Sequence, residues 1–268
     1  MRIARAGATV FLAAVALAVA APELWTTVRY ETQFRDAFDA PPSMRFPLGT
    51  DDLGRDRFVR LLYGTRVSLL LAPAAAFLSC AGAALLGGAA GLAGGILETA
   101  ILAAADLFLS LPWLFLLLTV RACLPLNLSP AASVTITFVL LGTLGWAGPA
   151  RIVRTSVLRL KHSEFVLHAR ASGCSSWRLL WAHLRPNVMP VLLAQFWVAV
   201  PVYILAEATL GMLGLGVVEP LPSLGGILRE LEGGGGILSR PWLLAPAVLL
   251  AAVVGSFQLV LPREDYSV

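Results

Sequence analysis

Three histidines, His162, His168 and His183, are the side chains best suited to carrying a proton at neutral pH or ligating a metal, and all lie within residues 151–187. None belongs to a His-Glu-x-x-His pair. The single lysine, Lys161, follows Leu160, so the chain has no Gly-x-x-x-x-Gly-Lys-Ser/Thr loop to cradle nucleotide phosphates and no Ser-x-x-Lys nucleophile. ATP chemistry therefore requires another polypeptide. An intramembrane hydrolase is the remaining catalytic reading, and no serine, histidine and carboxylate fall at one depth to support it. Cys80, Cys123 and Cys174 are scattered in or beside apolar segments and in the histidine-bearing stretch, which argues against a disulfide framework or a metal cluster.

Two carboxylates stand in apolar surroundings. Asp106 interrupts the run 99–120, where a charge facing lipid costs about 2.5–3.5 kcal/mol. It is expected to face the bundle or a water-filled path, and a structural hydrogen-bonding role and a substrate-path role are both open. Glu207 closes the run 188–206, where a structural role at the membrane interface is favoured over a translocation-path role.

The elements that must hold these residues are membrane helices. With 268 residues, 58% hydrophobic and 13% charged, and a mean hydropathy of +0.80, the composition is that of an integral membrane protein of one domain. Charge-free runs at 67–97, 122–150, 188–206 and 241–261 each reach or approach the roughly 20 residues that cross a bilayer. The run 99–120 does so around Asp106. Residues 6–21 are apolar as well, but Arg2, Arg5 and the closing Ala18-Val-Ala20 also suit a cleaved signal peptide. The expected fold is all-α, with about six transmembrane helices. Pro73, Gly82, Gly87, Gly88 and Gly91 suit close helix packing and local bends, and the glycines 233–236 read as a flexible spacer before the last span.

Residues 151–187 break the apolar pattern. Seven basic residues face Glu164 alone there, a local charge of +6 against +4 for the whole chain. Ser163 is placed to cap a helix over 164–172, with Gly173 taking the left-handed position after it. Ser175 or Ser176 then starts a second helix that Pro186 ends. Helices shorter than about 12–15 residues are marginal in water. The stretch is either an ordinary positive cytoplasmic loop or a pair of short helices held by docking.

The residues Glu164-Phe-Val-Leu-His-Ala-Arg-Ala-Ser-Gly173, followed by His183-Leu-Arg-Pro-Asn187, resemble the coupling-loop motif of binding-protein-dependent ABC importer permeases. A second set is similar to the signature of the second permease subunit of dipeptide, oligopeptide and nickel importers. It comprises Gln33-Phe-Arg-Asp-Ala37, Ala40-Pro-Pro42, Pro47-Leu-Gly-Thr-Asp-Asp-Leu-Gly-Arg-Asp56, Arg60-Leu-Leu-Tyr-Gly64 and Arg66-Val-Ser-Leu69. Ile204-Leu-Ala-Glu-Ala-Thr-Leu-Gly-Met-Leu-Gly-Leu-Gly216 and Pro222-Ser-Leu-Gly225 continue it, in the right order along most of the chain.

This resemblance implies the type I ABC importer permease fold. An N-terminal transmembrane helix and external segment would occupy 1–65, and a permease core with a cytosolic coupling loop at 151–187 would occupy 66–268. Glu164, Phe165, His168, Ala169, Arg170, Gly173, Leu184, Arg185, Pro186 and Asn187 would form the ATPase contact. Some positions depart from the family pattern: Leu167 and His168 stand where it usually has Glu and Ala, and Arg185 replaces an apolar residue. Ala103 stands where an arginine usually precedes the aspartate at Asp106, leaving Asp106 without its expected neighbour. The implied partners are a homologous permease forming a heterodimer, two cytosolic ABC ATPases that bind ATP and magnesium, and an extracytoplasmic substrate-binding protein. The chain itself would hold no cofactor, lie in a lipid bilayer and bind no nucleic acid. Dipeptide, oligopeptide, nickel-chelate and haem cargoes stay open, because selection in this family rests largely on the binding protein.

The resemblance also implies a bacterial or archaeal cytoplasmic membrane, a retained first helix and cytosolic termini. Counting basic residues leaves orientation tied: ten fall inside and ten outside with the termini and the loop 151–187 placed in the cytosol. Arg2 and Arg5 abutting the first span favour that placement, as does the balance of seven acids and seven arginines in 23–66.

Overall fold

A computed structural model of the chain describes residues 2–124, 129–232 and 240–260. In chain order its helices are α1 (Arg2–Ala20), α2 (Arg57–Ala93), α3 (Gly95–Ser110), α4 (Trp113–Ala122), α5 (Pro130–Leu144), α6 (Ala147–Lys161), α7 (Glu164–Ala171), α8 (Ser176–Leu179), α9 (Arg185–Met212), α10 (Leu224–Leu228) and α11 (Ala245–Val260). No strand occurs among the described residues, only the isolated bridges Gln33 with Arg55 and Thr50 with Asp56. The glycine spacer 233–236 lies outside the described residues.

Five helical stretches are long and apolar enough to cross a membrane: Ile3–Ala20, Arg57–Ala93, Pro130–Lys161, Trp177–Met212 and Pro241–Val260. The pair α3 and α4 supplies a sixth, bent by 85°. The run 99–120 is therefore not one straight span. Its break falls at Leu111, which is extended at φ −89° and ψ 135°, because the ring of Pro112 disfavours helical backbone in the residue before it. Conversely, the helix entered at Pro130 continues through Arg151, Arg154, Arg159 and Lys161. Hydropathy marks where lipid ends, and charge does not stop a helix.

A second expectation is corrected at Pro186, which does not end a helix. The chain is helical from Trp177 to Met212, and Leu180–Leu184 form a π-helical turn directly before the proline. Proline lacks an N–H and crowds the carbonyl one turn back. The wider turn absorbs this, with the Arg185 amide bonded five residues back to the Leu180 carbonyl.

Packing divides the chain into two compact units. The first draws on Met1–Ala72, Val120–Phe138 and Pro201–Val268. In it α1 lies along α11, which also meets α10. The segment between α1 and α2 has little regular structure but is tied by polar contacts. Asp51 Oδ1 accepts from the amides of Leu53 (3.0 Å) and Arg55 (2.7 Å), and Thr50 Oγ1 donates to the Ala37 carbonyl (2.6 Å) while accepting from the Ala40 amide (2.9 Å). Gly211 and Gly225 let α9 and α10 touch backbone to backbone: a Cβ on Gly211 would lie 2.4 Å from the Gly225 carbonyl carbon.

The second unit draws on Pro73–Thr119 and Val139–Val200. Here α3 packs on α6, and Ala83, Ala150, Val153, Val157 and Val188 form a core between α2, α6 and α9.

Candidate functional site

The basic stretch lies wholly within the second unit and folds back on it. Val166 is fully buried against Leu179 and Leu184, with Ala169, Leu92, Leu160 and Leu180 around them. Apolar residues three apart on α7 therefore anchor one face. Around the rest of the helix Phe165 and Leu167 are 43% and 49% exposed, and Glu164, His168 and Arg170 lie in the open. Gly173 holds φ +74° and turns the chain from α7 into α8. Ser163 occupies the N-cap position, but its hydroxyl does not cap α7: Oγ donates 2.6 Å to the Leu160 carbonyl, and the Ser163 carbonyl accepts from the amides of Val166 and Leu167. Ser175 takes the capping role at α8, accepting from the Arg178 amide at 3.4 Å.

Of the remaining residues singled out in the sequence, Leu184 is buried in this small core, whereas Arg185, Pro186 and Asn187 are exposed. Asn187 Nδ2 donates 2.6 Å to the His183 carbonyl, and the His183 ring lies 6.3 Å from that of Phe165. Phe165, with His168 three residues on along α7, and His183 thus stand near one another.

Asp106 has a partner that sequence reading missed. Arg151, three helices later on α6 in the same unit, forms an ion pair with it, and Arg154 Nε donates 2.7 Å to Glu98 Oε1. Glu98 and Asp106 are eight residues apart and Arg151 and Arg154 three apart, spacings that put each pair on one helix stripe. That periodicity was the available signal. The pairing links α3 to α6, with both side chains about half exposed.

Glu207 is fully buried and accepts a 2.9 Å hydrogen bond from Ser68 Oγ, which ties α9 to α2 within the first unit. It is more deeply enclosed than the membrane-interface position expected of it. In the same unit Arg121, an apparently ordinary outer arginine in the sequence, is 1% exposed and donates to Ser133 Oγ (3.0 Å) and the Gly216 carbonyl (3.3 Å). The signature residues Asp51, Arg55 and Arg60 are also buried, and Glu219 bridges the two arginines at 2.7 Å each.

Comparison with known proteins settles the family. The profile of the family described as "Binding-protein-dependent transport system inner membrane component" matches residues 83–261, about two thirds of the chain. The chain belongs to that family. This inner-membrane component is 34% identical over 97% of its length to the oligopeptide transport system permease protein OppC of Bacillus subtilis, covering 82% of that protein. It is 33% identical over 97% of its length to the dipeptide transport system permease protein DppC of the same organism, covering 79% of it. Identity to DppC of Haemophilus influenzae is 32% over 85% of the chain and 77% of the relative. A multi-pass permease of a binding-protein-dependent importer is therefore what the helices build. The hydrolase alternative falls away, since family and relatives are transport components rather than enzymes.

Proposed function

We propose that this permease carries peptides across the cytoplasmic membrane, as the second of two homologous permease subunits, and couples to two cytosolic ATPases through residues 164–187. The relatives named for oligopeptide and dipeptide transport support peptide cargo over nickel chelates or haem. The observation that carries the coupling assignment is the two-faced packing of α7: Val166 and Ala169 anchor it, while Phe165, Leu167, His168 and Arg170 present an amphipathic surface. A short helix anchored on one side, with apolar and charged side chains exposed around the rest, suits a lever pressed by a partner. ATP and magnesium would bind in the ATPases, since this chain has no phosphate loop. An external binding protein would deliver cargo, and cytosolic termini follow from placing 151–187 inside.

The test replaces Cys80, Cys123 and Cys174 and introduces Leu167→Cys. A membrane-impermeant thiol reagent should leave this site unlabelled in intact cells and label it in inside-out vesicles, and added ATPases should protect it. Labelling from outside intact cells would overturn the orientation and the ATPase contact. Uptake assays with dipeptides, longer peptides, nickel chelate and haemin test cargo separately, and uptake confined to the last two would reject the peptide reading.

A further inference from the structure

Beside the core of the second unit runs an open cleft of about 270 Å³. Ala84, Gly88, Val157, Leu184 and Met189 are among its walls, and Arg185 is the one charged residue that lines it. Two adjacent glycines on α2 explain why space remains there. A Cβ on Gly87 would lie 2.2 Å from the Ala150 carbonyl oxygen, so Gly87 lets α2 and α6 touch. A Cβ on Gly88 would meet nothing within 4 Å, so Gly88 leaves the cleft open. Its volume is near the lower end of small-molecule pockets, about 300–1,000 Å³.

Arg185, in the cleft wall, stands beside a pair of exposed tryptophans. Trp177, Trp181 and Arg185 recur every fourth residue; the two indoles are 69% and 46% exposed and lie 5.4 Å apart, and the Arg185 guanidinium sits 4.7 Å from the Trp181 ring centroid. Exposed tryptophans are typical anchors at headgroup level. Neighbouring cations are already engaged, Arg154 by Glu98 and Lys161 by the Leu92 carbonyl at 2.9 Å. Among the described residues no carboxylate pairs with Arg185. An apolar groove in a membrane protein, lined at one residue by a guanidinium that no carboxylate neutralises among the described residues, is complementary to one abundant amphiphile.

We propose that this cleft binds an anionic phospholipid, with an acyl chain along the apolar walls and the headgroup phosphate on Arg185. The arginine fork is suited to two phosphate oxygens. The lipid would brace α2, α6 and the start of α9, the elements that hold the basic loop. This proposal shares Arg185 with the ATPase contact proposed above, but its readout, lipid labelling of the cleft, depends on neither that contact nor the cargo.

The experiment uses the complete transporter, delipidated and reconstituted in vesicles of phosphatidylcholine or of phosphatidylcholine with phosphatidylglycerol. Each preparation contains a trace of lipid of one headgroup with a diazirine on its acyl chain, and labelled peptides are mapped by mass spectrometry. The phosphatidylglycerol probe should label residues 84–92 and 184–192 about fivefold more than the phosphatidylcholine probe, the preference that one arginine beside an anionic lipid provides. Arg185→Gln should abolish the preference and keep the labelling. Gly88→Leu and, separately, Met189→Trp should fill the cleft and remove it, in protein that still elutes as the intact complex. Equal labelling by the two probes, labelling that survives both filling variants, or capture of the homologous permease by a benzophenone at Met189 would overturn the proposal.

Discussion

Arg151 of α6 is ion-paired with Asp106 of α3, so the carboxylate of the broken span is held from the helix that leads directly into the basic loop. Arg154 and Glu98 form a second rung between the same two helices. No arginine stands near Asp106 in sequence, and a guanidinium from another helix supplies the charge.

If that pairing is what keeps Asp106 tolerable near lipid, Asp106→Ala and Arg151→Ala should each destabilise the protein by leaving a lone charge. The double variant should recover much of the loss. Thermal unfolding of the four proteins in detergent should give a non-additivity of about 0.5–3 kcal/mol. Strict additivity would mean that the two residues act independently.

At Gly173 the backbone rather than space is limiting, since φ is +74° and a Cβ would meet nothing within 4 Å. Gly173→Val should strain the turn by about 1–3 kcal/mol, leave membrane insertion intact and reduce stimulation of the partner ATPases. Gly173→Asn should be milder, because asparagine enters the left-handed region more readily. Equal activity of the two variants would remove loop geometry from the coupling step.

Gly211 is the opposite case, limited by contact: a side chain there would press on the backbone of Gly225. Gly211→Ala should cost about 1–3 kcal/mol by overpacking. Gly255→Ala, in α11 with nothing within 4 Å of the added carbon, should be neutral or slightly stabilising. Fluorescence-detected size exclusion after heating compares the two directly.

Glu219 gives the first unit a pH dependence. Burial pushes its carboxyl up, but hydrogen bonds and charge from Arg60, and then Arg55, outweigh this and hold it below the usual carboxylate range. A lowered folded-state pKa means that the stabilisation is present above the ordinary carboxylate pKa and is lost as pH falls through the lowered one. Asp56 works the other way, because burial raises its pKa despite the amides of Val59 and Phe58, so acid relieves it. Once the intrinsic slowing of amide hydrogen exchange at lower pH is divided out, Glu219 should make the opening of residues 29–56 increase with acidification, and Asp56→Asn, which removes the opposing group, should steepen that increase. In Glu219→Gln the opening should already be raised at neutral pH and respond less. An unchanged acid response in that variant would exclude Glu219 as the source.

The sequence determined the membrane class, the approximate number of spans and the position of the basic loop, because these depend on local properties. An apolar run long enough for a bilayer, Arg2 and Arg5 beside it, and a cluster of arginines in 151–187 are all one-dimensional patterns. Gly173 was legible for the same reason, since a left-handed residue between two short helices favours glycine whatever surrounds it. Only the tertiary structure decided the partners of charges. Asp106 meets Arg151 across 45 residues of chain, Glu207 meets Ser68 across 139, and Arg121 is buried on Gly216. No local pattern ranks such pairs, because which helices become neighbours is set by packing, as at the touching backbones of Gly211 and Gly225. The same holds at Pro186, where a proline that normally ends a helix is absorbed by the π turn before it. There Leu179 and Leu184 are buried against Val166, and that burial favours continuing the helix over stopping it.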